Sequence, residues 1–312
     1  MSQISKGKIS YLLVQQEESG QRLDHYLQKK LKALPNSHLQ KIIRSGQVRV
    51  NCRRILASYK IQPGDRIRLP PLQLSSTNYT TRPMVKSLPL PVVYEDEGLL
   101  VLNKPSGLAV HGGSGISLGV IEQLRQQRPE ARYLELVHRL DKETSGLLLV
   151  AKKRKVLVAL HEQFRQNHPK KIYLVLSAYP WPSKLQDVKL PLLKIAGQDR
   201  LVRVSTKGLY AHTQFELLEQ IKQFSLLKVS LKTGRTHQIR VHMQAQQAPI
   251  AGDERYGCYE LNKKLRKQGL KRMFLHAFRL EFDYPNNAGR LTLEAPMPEA
   301  LKQFLEQLRL TD

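Results

Sequence analysis

Two apolar runs, YLELV at 133–137 and LLLVA at 147–151, enclose the polar stretch HRLDKETSG at 138–146, and this arrangement constrains the fold more than any other feature of the chain. Short apolar runs separated by a polar, glycine-ended segment read as two buried strands meeting at a turn. Asp141 is then held at that turn, just behind Arg139. An aspartate placed this way caps a turn by default, because its side chain bonds nearby backbone amides. The other reading is a working carboxylate, and the rest of the chain must distinguish the two.

From Val92 onward, strands and helices mix without a regular βαβ rhythm. GLLVLNK reads as a strand followed by the turn KPSG. SLGVIEQLRQQRP places Leu118, Ile121 and Leu124 on one helical face, and VLVALHEQFRQNHP is a helix stopped by Pro169. KKIYLVLSAY and FSLLKVSLK are strands. TGRTHQIRVHMQAQ turns at Gly234 into a helix that Thr236 would cap. MFLHAFRLEF is a strand. The closing helix PMPEALKQFLEQLR has Leu301, Phe304, Leu305 and Leu308 on one face and Pro298 near its start. The pattern predicts an α+β fold with no internal repeat.

The N-terminal part carries one sign of charge. Residues 21–70 hold twelve lysines and arginines against Asp24 and Asp65. Leu23, Tyr26, Leu27 and Leu31 have helical spacing, and SHLQKIIRSG is a second helix with Ser37 as its cap and Gly46 as its stop. QVRVN alternates as a strand, and PGD at 63–65 turns the chain before RIRLP. Residues 74–91, rich in Ser, Thr and Pro, read as a linker. The expected organisation is a tail or strand over 1–20, a basic module over 21–73, the linker, and a second domain over 92–312.

Over all 312 residues the net charge is +25. Such a balance points to a polyanion, since lysine and arginine release counterions from phosphates; an anionic membrane surface is the second possibility. The start lacks an apolar signal core, and no apolar run is long enough to span a bilayer. Cys52 and Cys258 lie far apart with no CxxC, which excludes a zinc ribbon and argues against a disulfide framework. The expectation is a reduced, cytoplasmic protein.

Single motifs say little. HGGSG at 111–115 lacks the GK[ST] ending of a phosphate loop, so a flexible loop near a site is the better reading. His237 and His242 are five apart, the wrong spacing for two ligands on one helix face, and there is no carboxylate cluster for a pair of metals. Tyr173 reads by itself as a strand aromatic, and Arg235 and Arg240 as phosphate-contacting residues beside a glycine turn. Taken together, a carboxylate, an adjacent arginine, a tyrosine and an arginine-rich turn beside a basic module form a stronger set.

At these residues the sequence resembles the RluA-type RNA pseudouridine synthases. HRLDKETSGLLLVAKK matches the family's nucleophile motif, KIYLVL its tyrosine strand, and TGRTHQIRVHM with GDERYG its third motif. VLNKPSGLAVHGGSG and GVIEQLRQQRPEARYLELVHRLD point within the family to its large-subunit ribosomal branch. The block QRLDHYLQKKL to SHLQKIIRSGQVRVN resembles an S4 RNA-binding domain. The resemblance implies an S4-like module followed by a mixed, largely antiparallel-sheet catalytic domain. It assigns catalysis to Asp141, stacking of the target base to Tyr173, and pairing with the aspartate to Arg240. Arg139 would enter the stack as uridine is flipped out. RNA contacts would further involve His138, Arg235, Lys41, Arg44, Arg49, Arg53 and Arg54.

The implied reaction converts specific uridines of 23S ribosomal RNA to pseudouridine. It breaks N1–C1′ and forms C5–C1′ with no net redox change, and so requires neither cofactor nor metal. Glycosidic cleavage builds positive character on the sugar that a carboxylate can stabilise or trap. A guanidinium would grip that carboxylate in a two-pronged fork. The expected partner is 23S ribosomal RNA or a large-subunit assembly intermediate, bound by a monomer and without a membrane. The rival reading is an S4-bearing assembly factor that binds ribosomal RNA without catalysis; the intact trio Asp141, Tyr173 and Arg240 favours the enzyme.

Overall fold

The computed structural model describes residues 9–31, 34, 36–72, 90–112, 118–195, 201–285 and 289–310. Most of the expected linker, and part of the HGGSG loop, lie outside them. The chain divides into two compact units, Met1–Lys86 and Ser87–Asp312.

In the first unit the elements are β1 (Ser10–Leu13), α1 (Leu23–Lys30), α2 (Asn36–Arg44), β2 (Arg49–Val50), β3 (Arg53–Arg54) and β4 (Arg66–Leu69). The strands pair antiparallel in the order β1-β4-β2-β3. Leu23, Tyr26, Leu27 and Leu31 are all buried, as their spacing requires, and pack with Leu39, Ile43, Val50 and Ile67. Helix α2 begins at Asn36, so Ser37 lies inside its first turn rather than at the cap. Gly46 ends it with φ +75, a left-handed geometry that glycine adopts without strain.

The second unit contains β5 (Val92–Glu95), β6 (Leu99–Lys104), α3 (Val120–Gln127), β7 (Glu135–Leu136), β8 (Ser145–Ala151), α4 (Arg154–Arg165), β9 (Lys170–Ser177), β10 (Leu185–Val188), β11 (Leu192–Lys194), β12 (Val202–Val204), β13 (Thr213–Ile221), β14 (Phe224–Leu231), α5 (Gln238–Ala245), α6 (Tyr259–Lys267), β15 (Leu275–Asp283), β16 (Arg290–Glu294) and α7 (Glu299–Leu310). One large sheet runs β10-β13-β14-β9-β15-β8-β6-β5, with β16 added to β15 and β7 to β8. Among the described strands only the β15–β8 pair is parallel. The architecture is α+β with a mixed, largely antiparallel sheet.

Strand β8 shows why LLLVA carries no polar position. Leu147, Leu149 and Ala151 pack with Val156 and Leu160 of α4, while Leu148 and Val150 pack with Val120, Ile121 and Leu124 of α3. Side chains of a strand alternate between faces, so a strand covered on both sides is apolar throughout.

The turn before α5 departs from expectation. Thr236 does not cap the helix, which starts at Gln238 after His237 in a left-handed conformation, φ 53. The Gln238 side chain closes the turn instead: its Oε1 accepts from the Arg235 amide (3.0 Å) and from Thr233 Oγ1 (2.8 Å). A left-handed non-glycine residue costs about 1–3 kcal/mol, a cost often met at functional sites. Among the described residues no helix is long and apolar enough to cross a membrane.

Candidate active site

Asp141 sits on the loop leading into β8, and three features position that loop. First, Gly146 has φ +113 and lies against β15; a Cβ there would fall 2.2 Å from the Ala277 carbonyl oxygen. No other residue lets β8 approach β15 so closely. Second, the KPSG turn braces the loop, with Ser106 Oγ donating to the Glu143 carbonyl (2.7 Å) and the Gly107 amide to that of Lys142 (2.9 Å). Third, Lys104, which is fully buried, donates to the carbonyls of Pro105 (2.8 Å), Leu108 (2.8 Å) and Lys142 (3.1 Å). Its ammonium faces no carboxylate within ion-pair distance among the described residues, and burial brings it down to about 7. In the sequence Lys104 reads only as the end of a strand. A lysine closing an apolar strand beside a proline was the available signal.

Arg240, on α5, reaches Asp141 with Nη1 at 3.2 Å from Oδ2. The expected two-pronged fork is made elsewhere. Arg240 Nε and Nη2 grip Asp253 at 2.7 and 2.8 Å, and Asp253 is wholly buried. One edge of the guanidinium is thus committed to Asp253, and Asp141 receives one N–H, from Nη1. Asp253 is itself held by the amides of Arg255 (2.9 Å) and Tyr256 (3.1 Å). It follows Gly252, where φ is +76 and a Cβ would meet the Arg272 carbonyl at 2.3 Å. In the sequence Asp253 falls within GDERYG with no role of its own.

His237 completes the group, with Nε2 3.8 Å from Asp141 Oδ2 and Nδ1 2.8 Å from the Tyr256 hydroxyl. That hydroxyl also accepts the Val202 amide at 3.0 Å. Burial pushes the His237 imidazole down, partly offset by the charge of Asp141. Asp141, His237, Arg240 and Asp253 line one cleft of about 700 Å³. Asp141 Oδ1 accepts no hydrogen bond from the described residues, and the side chain is 28% exposed. A carboxylate with one anchored and one open oxygen can attack an electrophilic carbon or remove a proton.

Tyr173, on β9, borders a neighbouring small recess with His138, Lys171 and Arg279 rather than the cleft itself. Burial, and secondarily the charge of Asp141, push its phenol well above the ordinary range, so the hydroxyl stays protonated. His138 turns into its own unit. Its ring stacks on Phe164 at 5.0 Å, and Nε2 accepts the Leu149 amide at 3.2 Å. Arg139 is exposed, and Arg235 is exposed with Nε on the Tyr210 carbonyl at 3.0 Å.

In the first unit Lys41, Arg44, Arg49, Arg53 and Arg54 are all exposed, with no ion pair among the described residues. The strand register explains their arrangement. Tyr11 is opposite Arg68, Arg68 opposite Arg49, and Arg49 opposite Arg54, which forms one row across all four strands. Arg66 covers the Tyr11 ring at 4.2 Å. The two acids of this block are used internally: Asp24 pairs with Arg22, and Asp65 accepts from Asn51, Tyr59 and the Gln62 amide.

Residues 98–245 match the family model of RNA pseudouridylate synthase, and residues 21–67 match that of the S4 domain. The ribosomal large subunit pseudouridine synthase C of Pasteurella multocida is 47% identical over 96% of this chain and 94% of its own length. The protein of that name from Escherichia coli K12 is 47% identical over 96% of this chain and 97% of its own. The chain belongs to the RNA pseudouridylate synthase family. Asp141, Tyr173 and Arg240 lie within the matched pseudouridylate synthase segment, whereas Asp253 and Arg272 lie beyond it. Human RNA Pseudouridylate Synthase Domain Containing 4 has a similar solved structure, with TM-score 0.59 and 27% identity over 70% of this chain and 93% of that one. An S4 domain and an RNA pseudouridine synthase domain therefore share this chain.

Proposed function

We propose that the protein isomerises specific uridines of large-subunit ribosomal RNA to pseudouridine, with Asp141 as the catalytic carboxylate. The observation that carries this reading is the shared guanidinium: Arg240 ties Asp141 to the buried Asp253 while leaving Asp141 Oδ1 open to the cleft. The RNA and ribosomal substrate is supported by the names of the relatives and by the S4 match.

The target uridine leaves its stack, which costs a few kcal/mol, and the exposed Arg139 fills the gap. Asp141 then acts on the ribose, either bonding C1′ as N1 departs or removing a sugar proton to form a glycal. Uracil turns within the site, its C5 joins C1′, and the C5 proton is lost as N1 takes one up, so atoms and charge balance without a co-reactant. Tyr173 borders the small recess rather than the cleft but is near enough to Asp141 to feel its charge, and from there offers its ring face to the uracil, a stack worth roughly 1–3 kcal/mol. Its hydroxyl, protonated at neutral pH, remains available for a late proton transfer. Lys41, Arg44, Arg49, Arg53 and Arg54 supply grip on phosphates rather than chemistry.

The test is pseudouridine mapping of large-subunit RNA from a strain lacking the gene, followed by restoration with the intact or the Asp141→Asn protein. The intact protein should restore the lost sites and the variant none. Full restoration by the variant would remove Asp141 from catalysis and favour an RNA-binding assembly factor.

A further inference from the structure

The cleft that holds Asp141 also contains a cation without a counter-charge. Arg240 is committed to two carboxylates, Lys142 lies 3.8 Å from Glu143, and Lys271, though it has no ion pair among the described residues, is exposed to solvent, whereas Arg272 is half-buried. Arg272, on the loop before β15, lines the same cleft, and all of its hydrogen-bond partners are neutral. Its Nε donates to the Met273 carbonyl at 3.2 Å. Its Nη2 donates to the Leu275 carbonyl at 3.2 Å and to Ser145 Oγ at 2.7 Å.

Ser145 is held in turn. It lies 2.9 Å from His276 Nδ1, whose Nε2 donates to the Ala295 carbonyl at 3.1 Å, and both Ser145 and His276 are fully buried. The proton on Nε2 leaves Nδ1 as an acceptor for the serine, so this Ser–His pair is a brace and not a nucleophile with its base. Among the described residues no carboxylate lies within ion-pair distance of Arg272, and Nη1 has no partner. Burial lowers the guanidinium to about 10, with Glu143 as the only acid that offsets it.

A cation that is partly buried without an anion is unfavourable unless a ligand brings the charge. Here the guanidinium is also pinned by three acceptors, so little freedom remains to be lost when an anion arrives. The one anion that a uridine carries into such a cleft is its phosphodiester, because the base and ribose are neutral. We infer that Arg272 binds a phosphodiester flanking the target uridine and, through the brace to Ser145 at the head of β8, sets that phosphate in register with Asp141. This inference rests on the pseudouridine synthase reading and adds a substrate subsite to it.

The test uses fragments of large-subunit RNA containing the target. One uncharged methylphosphonate, beside a 2′-O-methyl sugar, is placed in turn at each linkage around the uridine, and each RNA is compared with its phosphate-bearing, 2′-O-methyl counterpart. A charge-assisted hydrogen bond is worth about ten- to a hundredfold. At one linkage the unaltered enzyme should lose that factor in kcat/KM. Arg272→Gln should lose a similar factor on the charged RNA and nothing further at that linkage. Ser145→Ala, which loosens the brace but keeps the cation, should remain sensitive there, as should Arg272→Lys. If Arg272→Gln stays as sensitive as the unaltered enzyme at every linkage, or if no linkage matters to the unaltered enzyme, the phosphate subsite is wrong. Failure of the unaltered enzyme to turn over the parent RNA would instead overturn the pseudouridine synthase reading itself, and this inference with it.

Discussion

Arg240 has five N–H donors in a fixed plane and uses them on two carboxylates of unequal standing. Asp253, wholly buried and bidentate, fixes the guanidinium; Asp141, part-exposed and singly bonded, is the group left able to react. Asp253→Asn should therefore lower kcat about ten- to a hundredfold with little change in KM, because a small displacement of a positioned group is enough for that loss; steady-state kinetics on an RNA fragment check it. Gly146 acts through space rather than chemistry. Gly146→Ala places a methyl group 2.2 Å from the Ala277 oxygen at a positive φ, and should cost more than about 2 kcal/mol in denaturant unfolding. Asp141, Tyr173 and Arg240 enter as candidates through the family resemblance of three local motifs, not through their own spacing. Asp253, His237, Lys104 and Arg272 were not assigned, because each gains its role from a partner brought in by folding: Asp141 is 112 positions before Asp253 and 96 before His237, and they meet only through α5.

At the level of elements, the four-stranded sheet of the first unit sets arginines against one another. Like charges directly opposite on neighbouring strands are unfavourable, and the row Arg68, Arg49, Arg54 has two such pairs. Changing all three to Gln should leave the fold intact or slightly stabilise it. It should also weaken RNA binding, and reduce the slope of log affinity against log salt by roughly one for each phosphate that is no longer neutralised. A titration at several salt concentrations reads both; an unchanged slope would exclude this sheet face from RNA binding. The elements recognised in the sequence were those with strong apolar patterns, such as β8, β14, β15 and α7. Those passed over were β3, β5, β10 to β13, β16 and α6. The nine residues TQFELLEQI of β13 alternate only partly and keep Glu and Gln on the open face. The helix YELNKKLRK has two buried positions, Asn262 and Leu265, and Asn262 is buried as a hydrogen-bonding post for Gly252 and Asp253.

For the molecule as a whole, the buried His276 and the half-buried His138 shape its behaviour in acid. Burial pushes both His138 and His276 from 6.5 down to about 4. The unfolded chain therefore takes up protons first as pH falls. The stability that both contribute is complete above about pH 6.5 and is lost progressively towards pH 4, on the order of 3 kcal/mol for each group. Unfolding midpoints measured across that window should fall steeply. His276→Asn, which cannot take up the proton, should flatten the curve even where it lowers the plateau. A midpoint independent of pH between 6.5 and 4 would mean that these rings are not held neutral in the fold.

Local pattern alone determined the basic N-terminal module, the buried strand behind Asp141 and the α+β class, because apolar period, turn chemistry and charge are properties of neighbouring residues; the motif residues were proposed from the family resemblance. Tertiary structure alone decided which carboxylate takes the arginine fork, which lysine ties down the loop of Asp141, and which cation of the cleft is half-buried without an ion pair among the described residues. Those outcomes depend on burial and on partners distant in the chain, and desolvation makes an ion's environment, rather than its identity, the determinant of what it does.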